Sequence, residues 1–308
     1  MDVLILSGGL SHERDVSIRS GRRVAEALRE EGIAAEVRDV DSDLIPALRS
    51  FGEGVVWPLL HGASGEDGSL QDVLEMCGTN YVGSDPRATR LAWSKPVAKT
   101  VVQGVGVATP DFVTLPHSLF RELGAEQVLG AVVERLGLPL VVKPERGGSA
   151  LGVSWVTTAE DLPRAMVDCF SYGDVALIEK AILGTEVAVS VVGNGDTAYA
   201  LPAVEIATDG SYDYDARYNP GRAVYYAPAR LDAPQAQAVT EAALRVHRAL
   251  SLRHLSRTDF ILDSSGVPQF LDVNVAPGMT ETSLFPQAIE AAGRSLGEVY
   301  REIVTLAR

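Results

Sequence analysis

The sequence predicts an α/β (α+β) fold split into two or three domains, on three observations. Its first 60 residues alternate short apolar runs with amphipathic stretches in the order strand, helix, strand, helix, strand, the pattern of a parallel, right-handed α/β unit. Further along, short apolar runs face each other across a Gly-rich loop and a tight turn, as antiparallel pairs do. And 308 residues exceed what one hydrophobic core usually serves.

Bulk properties narrow the function classes. The 46% hydrophobic fraction is ample for packed interiors, yet no apolar run approaches the roughly 20 residues that span a bilayer. The start, MDVLIL, has no basic leader region and is expected to enter a strand directly rather than serve as a signal peptide. Cys77 and Cys169 are the sole cysteines, so no disulfide framework or zinc cluster is indicated and the cytoplasm is the expected compartment. A net charge of −14 argues against a broad nucleic-acid surface but leaves room for a small anionic ligand beside a few local cations.

Residues 3–6 read as a buried strand. A helix follows over 17–31, with Val24, Ala27 and Leu28 on one face, and Gly32 stops it. Strands at 34–40 and 55–60 flank a short helix at 44–51. Gly8-Gly9 is not a Gly-x-Gly-x-x-Gly fingerprint, and no Walker A pattern occurs. Glu13 lies where the first strand hands over to the first helix. It suits either a substrate cation or, more plainly, the positive helix terminus. His61 opens a Gly-rich segment, HGASGEDGSLQ, and could donate a hydrogen bond to a substrate or be incidental. A helix to Cys77 and a strand at 81–83 close this first unit.

Residues 87–105 are helical in pattern, but Pro96 breaks a helix interior, so a new helix is expected with Ser94 as its N-cap. Strands at 110–115 and 140–143 flank a helix at 119–136. The loop KPERGGSALG (143–152) joins strands 140–143 and 153–156. Such a hairpin can close its N–H groups over phosphates, and Lys143 at the end of a buried-type strand favours a ligand there. Residues 176–186 combine an apolar strand with carboxylates, which suits an adenine, and a strand at 187–192 opens the last unit. The polar loop 209–222 is long enough to be a lid, with Arg217 and Tyr218 as candidate groups. A helix at 234–250, two strands and a helix at 295–306 complete the chain.

The two strands carry the densest chemistry. RTD (257–259) opens one apolar run, and DVNVAPGMTETS (272–283) follows the other. Antiparallel pairing would bring Asp259, Asp272 and Asn274 together as hard oxygen ligands for Mg²⁺. Read alone, the segment is equally an acidic strand-to-turn junction.

Taken together, the runs LSGGLSHERDVSIRSG (6–21), LLHGASGEDGSLQDVLE (59–75), GLPLVVKPERGGSALGVS (137–154), LIEKAILGTEVAVSVVG (177–193), YDYDARY (212–218), SRTDFILD (256–263) and LDVNVAPGMTETSLFP (271–286) resemble the D-alanine–D-alanine ligases of the ATP-grasp superfamily, in that family's order. The resemblance covers nearly the whole chain. It implies a three-domain ATP-grasp architecture, here bounded as 1–86 (an N-terminal parallel α/β domain), 87–178 and 179–308. ATP would lie between the second and third domains, with the substrates where all three meet. It implies ATP as co-substrate, two Mg²⁺ ions with Mn²⁺ as substitute, two D-alanine molecules and a homodimer; with the charge and hydropathy above, no nucleic-acid or membrane partner is expected.

By the same resemblance Glu13 holds the first substrate's ammonium, which reverses the plainer reading above. Lys95 and Lys143 meet the ATP phosphates. Glu179, Lys180, Ile182 and Glu186 meet adenine and ribose. Asp259, Asp272 and Asn274 hold metal, and Arg257 and the N–H of Gly278 face the developing oxyanion. Ser283 and the N–H of Leu284 take the second carboxylate. Ser149 and Tyr218 close towards Glu13, Arg217 stands at the lid, and His61 lies near the substrates. Tyr218 favours an amine over a hydroxy acid as second substrate, since depsipeptide-forming relatives typically lack it.

This chain departs from the family's usual pattern. Asp272 stands where Glu is usual, shorter by about 1.5 Å of C–C bond. Arg217 replaces a Lys, Ser94 replaces an Asp, and GGSALG (147–152) replaces a loop with one more carboxylate and hydroxyl. Two other activities are compatible with these residues: a related ligase for other amino acids, and a non-catalytic nucleotide or amino-acid binder.

Overall fold

The computed structural model describes residues 2–208 and 223–308. Three sheets organise them. Strands β1 (Asp2–Leu6), β2 (Ala34–Arg38), β3 (Val55–Pro58) and β4 (Asn80–Tyr81) form a parallel sheet in the order β2-β1-β3-β4. Val3, Leu4, Ile5 and Leu6 are all buried, as expected of a strand covered on both faces. Helix Arg14–Glu30 starts three residues before the expected 17, because its first turn is polar. Ser17 sits on its buried face, where it accepts from Gly8 N–H at 2.8 Å and donates to Leu59 O at 2.6 Å.

The second sheet is antiparallel, with β5 (Phe112–Pro116), β6 (Leu140–Pro144), β7 (Ser154–Val156) and β8 (Val175–Lys180) in the order β5-β8-β6-β7. The single helix expected at 119–136 is two, His117–Leu123 and Ala125–Leu136. The chain turns between them at Gly124, whose φ of 81° suits glycine. β8 runs to Lys180, so the expected boundary after residue 178 falls inside a strand.

The third sheet is built from β9 (Gly184–Asn194), β10 (Tyr199–Ala200), β11 (Val204–Thr208), β12 (Ala223–Tyr226), β13 (Arg253–Asp263) and β14 (Pro268–Asn274). Its order is β12-β11-β9-β13-β14, with β10 on β9. Helices Pro86–Trp93 and Lys95–Gly104, assigned by sequence to the central unit, pack instead on this sheet: Ala88, Ala92, Ala98 and Val102 share a core with Val187, Val189, Phe260 and Phe270. The break between these helices lies at Ser94, as expected. Its hydroxyl, however, does not cap the second helix; it donates to Glu145 Oε1 at 2.7 Å, and the first helix is capped by Asp85.

A further core joins the first sheet to the C-terminal helices Leu284–Ala291 and Leu296–Leu306. Trp57 meets Tyr300 edge-to-face with ring centres 5.4 Å apart. The ends of the chain therefore pack together, and the clefts open where the sheets face one another. Among the described residues, no helix is long and apolar enough to cross a membrane.

Candidate active site

Strands β13 and β14 pair antiparallel with Asp259 opposite Asp272 and Arg257 opposite Asn274. All four therefore share one face, as residues directly across a ladder do. Both strands are longer than their apolar runs, so these groups lie within strands rather than beyond strand ends. The Nε and Nη2 of Arg257 donate to the two Asp259 oxygens, each at 2.8 Å. Asn274 Oδ1 accepts from Ala276 N–H at 2.8 Å, which fixes the turn after the strand.

This face forms one wall of a cleft of about 500 Å³. The opposite wall is the face of the second sheet that carries Val141, Lys143, Trp155 and Glu179: Val141 pairs with both Trp155 and Glu179, and Lys143 is two residues along. Lys143 Nζ stands 2.5 Å from Glu179 Oε1. Burial alone would push the Glu179 carboxyl up, but Lys143 and Lys99 outweigh it and hold it below its ordinary value. Lys95 Nζ donates to Gly147 O at 2.6 Å and lies 3.7 Å from Asp272 Oδ2. Lys180, Ile182 and Glu186 line the same cleft, as does Ser149.

Next to it is a smaller cavity of about 100 Å³, lined by Glu13, His61, Gly278, Ser283 and Leu284. Glu66, Gly148, Ser149, Arg257 and Asn274 line both spaces. Glu13 is the residue before helix Arg14–Glu30, at the carboxyl edge of the first sheet, and Ser149 Oγ donates to its Oε1. Gly62 and Gly148 give Glu13 room: a Cβ at Gly62 would stand 3.1 Å from Glu13 Oε2. His61 Nδ1 is 3.0 Å from Ala276 O, while its Nε2 is buried without a hydrogen-bond partner among the described residues. Burial depresses the His61 pKa, which favours a neutral ring.

Ser283 precedes helix Leu284–Ala291, so its hydroxyl and the following N–H groups sit at the positive end of that helix. Its Oγ accepts from Thr280 N–H at 3.0 Å. A Cβ at Gly278 would come within 2.8 Å of the same oxygen, so the tight approach requires glycine.

The arrangement thus offers a long cleft with two lysines and hard oxygen donors, opening into a small pocket with a carboxylate at one end and a helix N-terminus at the other. The model of the D-ala D-ala ligase C-terminus matches residues 101–305, and that of the D-ala D-ala ligase N-terminus matches 33–84. The chain belongs to the D-alanine–D-alanine ligase family. It is 37% identical to a D-alanine–D-alanine ligase of Pelotomaculum thermopropionicum over 100% of this chain and 96% of that one. It is 39% identical to one of Desulforudis audaxviator, over 99% and 97%. Among solved structures it superposes with a TM-score of 0.87 on the VanG D-Ala:D-Ser ligase of Enterococcus faecalis, at 27% identity over 100% of this chain and 99% of that chain. A D-alanine–D-alanine ligase of Bacillus anthracis gives 0.83 at 27% identity, over 100% and 97%.

Arg217 and Tyr218, expected at the lid of this family member, lie outside the described residues. Every other expected site residue lines one of the two spaces. Two more residues, Glu66 and Trp155, line these spaces, and a third, Lys99, stands behind them. Glu66 is 7% exposed and accepts from Gly62 N–H at 2.9 Å. It sits within the HGASGEDG run, where its burial was not legible from a polar, Gly-rich context. Trp155 is legible only through its register with Val141. Lys99 lies four residues after Lys95 on the buried helix face, a spacing that could have revealed it.

Asp259, Asp272 and Asn274 suit Mg²⁺ as a donor set: two carboxylates and a carboxamide, all hard oxygens, on one face of the cleft. Among the described residues no three His, Cys, Asp or Glu side chains gather at a point.

Proposed function

We propose that this protein is an ATP-dependent carboxylate–amine ligase that joins two D-alanines into D-alanyl-D-alanine for peptidoglycan synthesis. The observation that carries this reading is the junction of the two spaces at Ser149, Arg257 and Asn274. A phosphoryl donor in the large cleft would there meet a carboxylate in the small pocket. An amine does not displace oxygen from a carboxylate directly. The first D-alanine's carboxylate oxygen therefore attacks the γ-phosphorus of ATP and ADP leaves. The second D-alanine's amine then attacks the acyl carbon, and phosphate leaves with that oxygen.

In this reading Glu13 pairs with the first ammonium, and Ser283 with Leu284 N–H takes the second carboxylate. Arg257 and Gly278 N–H stabilise the tetrahedral oxyanion, a contribution of about 3–4 kcal/mol per donor in a dry site. Lys95 and Lys143 grip phosphates; Glu179, Lys180, Ile182 and Glu186 seat the nucleoside. Two Mg²⁺ ions, with Mn²⁺ as substitute, held by Asp259, Asp272 and Asn274, would neutralise phosphate charge. Ser149 and Tyr218 close the site over Glu13, with Arg217 on the lid and His61 beside the substrates. The same reading divides the chain into three units and makes it a cytoplasmic homodimer.

The acylphosphate is tested with D-alanine labelled by ¹⁸O in its carboxylate. One labelled oxygen per turnover is expected in the released phosphate. Unlabelled phosphate would rule out this route.

A further inference from the structure

Lys99 lines neither cavity, yet it is fully buried directly behind the nucleotide cleft. Its ammonium stands 2.7 Å from Glu179 Oε2 and donates to Thr109 Oγ1 at 2.6 Å and Phe270 O at 3.3 Å. Two of its protons thus have hydrogen-bond acceptors, and the ammonium also forms an ion pair with Glu179. Its helix packs on the third sheet, whereas Glu179 belongs to the second, so the contact ties the two walls of the cleft together. Glu179 uses its other oxygen for Lys143, so two ammoniums share one carboxylate.

That sharing has a physical consequence. A Lys143 that moves to a phosphate leaves Glu179 behind. A buried carboxylate without a partner is strongly unfavourable, so a Glu179 paired with Lys143 alone would hold that lysine back. With Lys99 fixed on the far oxygen, Glu179 stays paired when Lys143 departs, and the group as a whole carries one surplus positive charge facing the cleft.

We propose that Lys99 is a positioning residue for the nucleotide: it anchors Glu179 from behind, which releases Lys143 to grip the phosphates of ATP and ADP. This rests on the reading of the large cleft as the ATP site. Burial draws the Lys99 pKa down to about 8, against the pull of Glu179, which leaves the ammonium charged at neutral pH.

Calorimetric titration of ADP and of adenosine tests it. Without phosphates there is nothing for Lys143 to grip, so the two ligands separate anchoring from packing. Lys99→Met is expected to weaken ADP about tenfold, the loss of one charge-assisted contact, and to leave adenosine within about twofold. Equal weakening of both ligands, or no weakening of ADP, would overturn the proposal. If Lys99→Met does not fold, Thr109→Val, which removes one acceptor of Lys99, should weaken ADP and not adenosine. Unchanged ADP binding there overturns it equally. Wild-type protein that binds neither ligand would instead reject the ATP site itself.

Discussion

The hydroxyl of Ser149 donates to the carboxylate of Glu13 across 136 positions of sequence. The contact joins the hairpin loop after β6 to the edge of the N-terminal sheet, and both residues line the small pocket. Ser149 and its neighbour Ala150 hold left-handed backbone, with φ of 53° and 55°, a conformation costing about 1–2 kcal/mol in a non-glycine residue. The loop is thus shaped to deliver this hydroxyl. Glu13→Gln should raise KM for the first D-alanine about tenfold or more, because the charge that pairs with its ammonium is gone. Ser149→Ala should raise the same KM by less. Initial rates against D-alanine at saturating ATP measure both, and an unchanged KM in Glu13→Gln would remove the assigned role.

Glu66 gives a dependence on pH. Burial first, then the charge of Glu13, push its carboxyl from 4.5 up to about 8. The unfolded chain releases this proton near 4.5, whereas the folded chain holds it to about 8. Between those values the folded state binds more protons, so this group's contribution to stability falls as pH rises. Glu66→Gln can keep the bond from Gly62 N–H and does not titrate. Its stability relative to wild type should improve from pH 5 to pH 8, by up to roughly 4 kcal/mol. Urea denaturation at the two pH values checks this, and parallel profiles would contradict it.

Arg257 offers Nε and Nη2 to Asp259 as a planar fork. Arg257→Lys keeps the charge and loses the fork, so kcat should fall about 100-fold with a smaller change in KM for ATP. A variant within about twofold of wild-type kcat would place the oxyanion donors elsewhere.

Asp272 lies opposite Asp259 in the strand pair and 3.7 Å from Lys95. Its side chain is one carbon shorter than the Glu usual in the family. Asp272→Glu should retain or improve Mg²⁺-dependent turnover. Complete loss would mean that the site is built around the shorter acid.

Much of this site was legible in the sequence because its chemistry lies on pattern. Asp259 and Asp272 sit on short apolar runs separated by one turn, and antiparallel pairing places them opposite each other as expected. What escaped was set by tertiary contacts. The Ser94 hydroxyl turned to Glu145, which no local rule announces. Helices Pro86–Trp93 and Lys95–Gly104 chose the third sheet, because their small apolar residues fit its face. Glu66 and Lys99 are charged residues whose burial depends on partners far along the chain.

The central claim is tested most directly by incubating the protein with ATP, Mg²⁺ and D-alanine, and following ADP together with the dipeptide. ADP and D-alanyl-D-alanine should form in equal amounts, and D-serine and L-amino acids should give less. No ADP with any amino acid, or ADP only with amino acids other than D-alanine, would contradict the account.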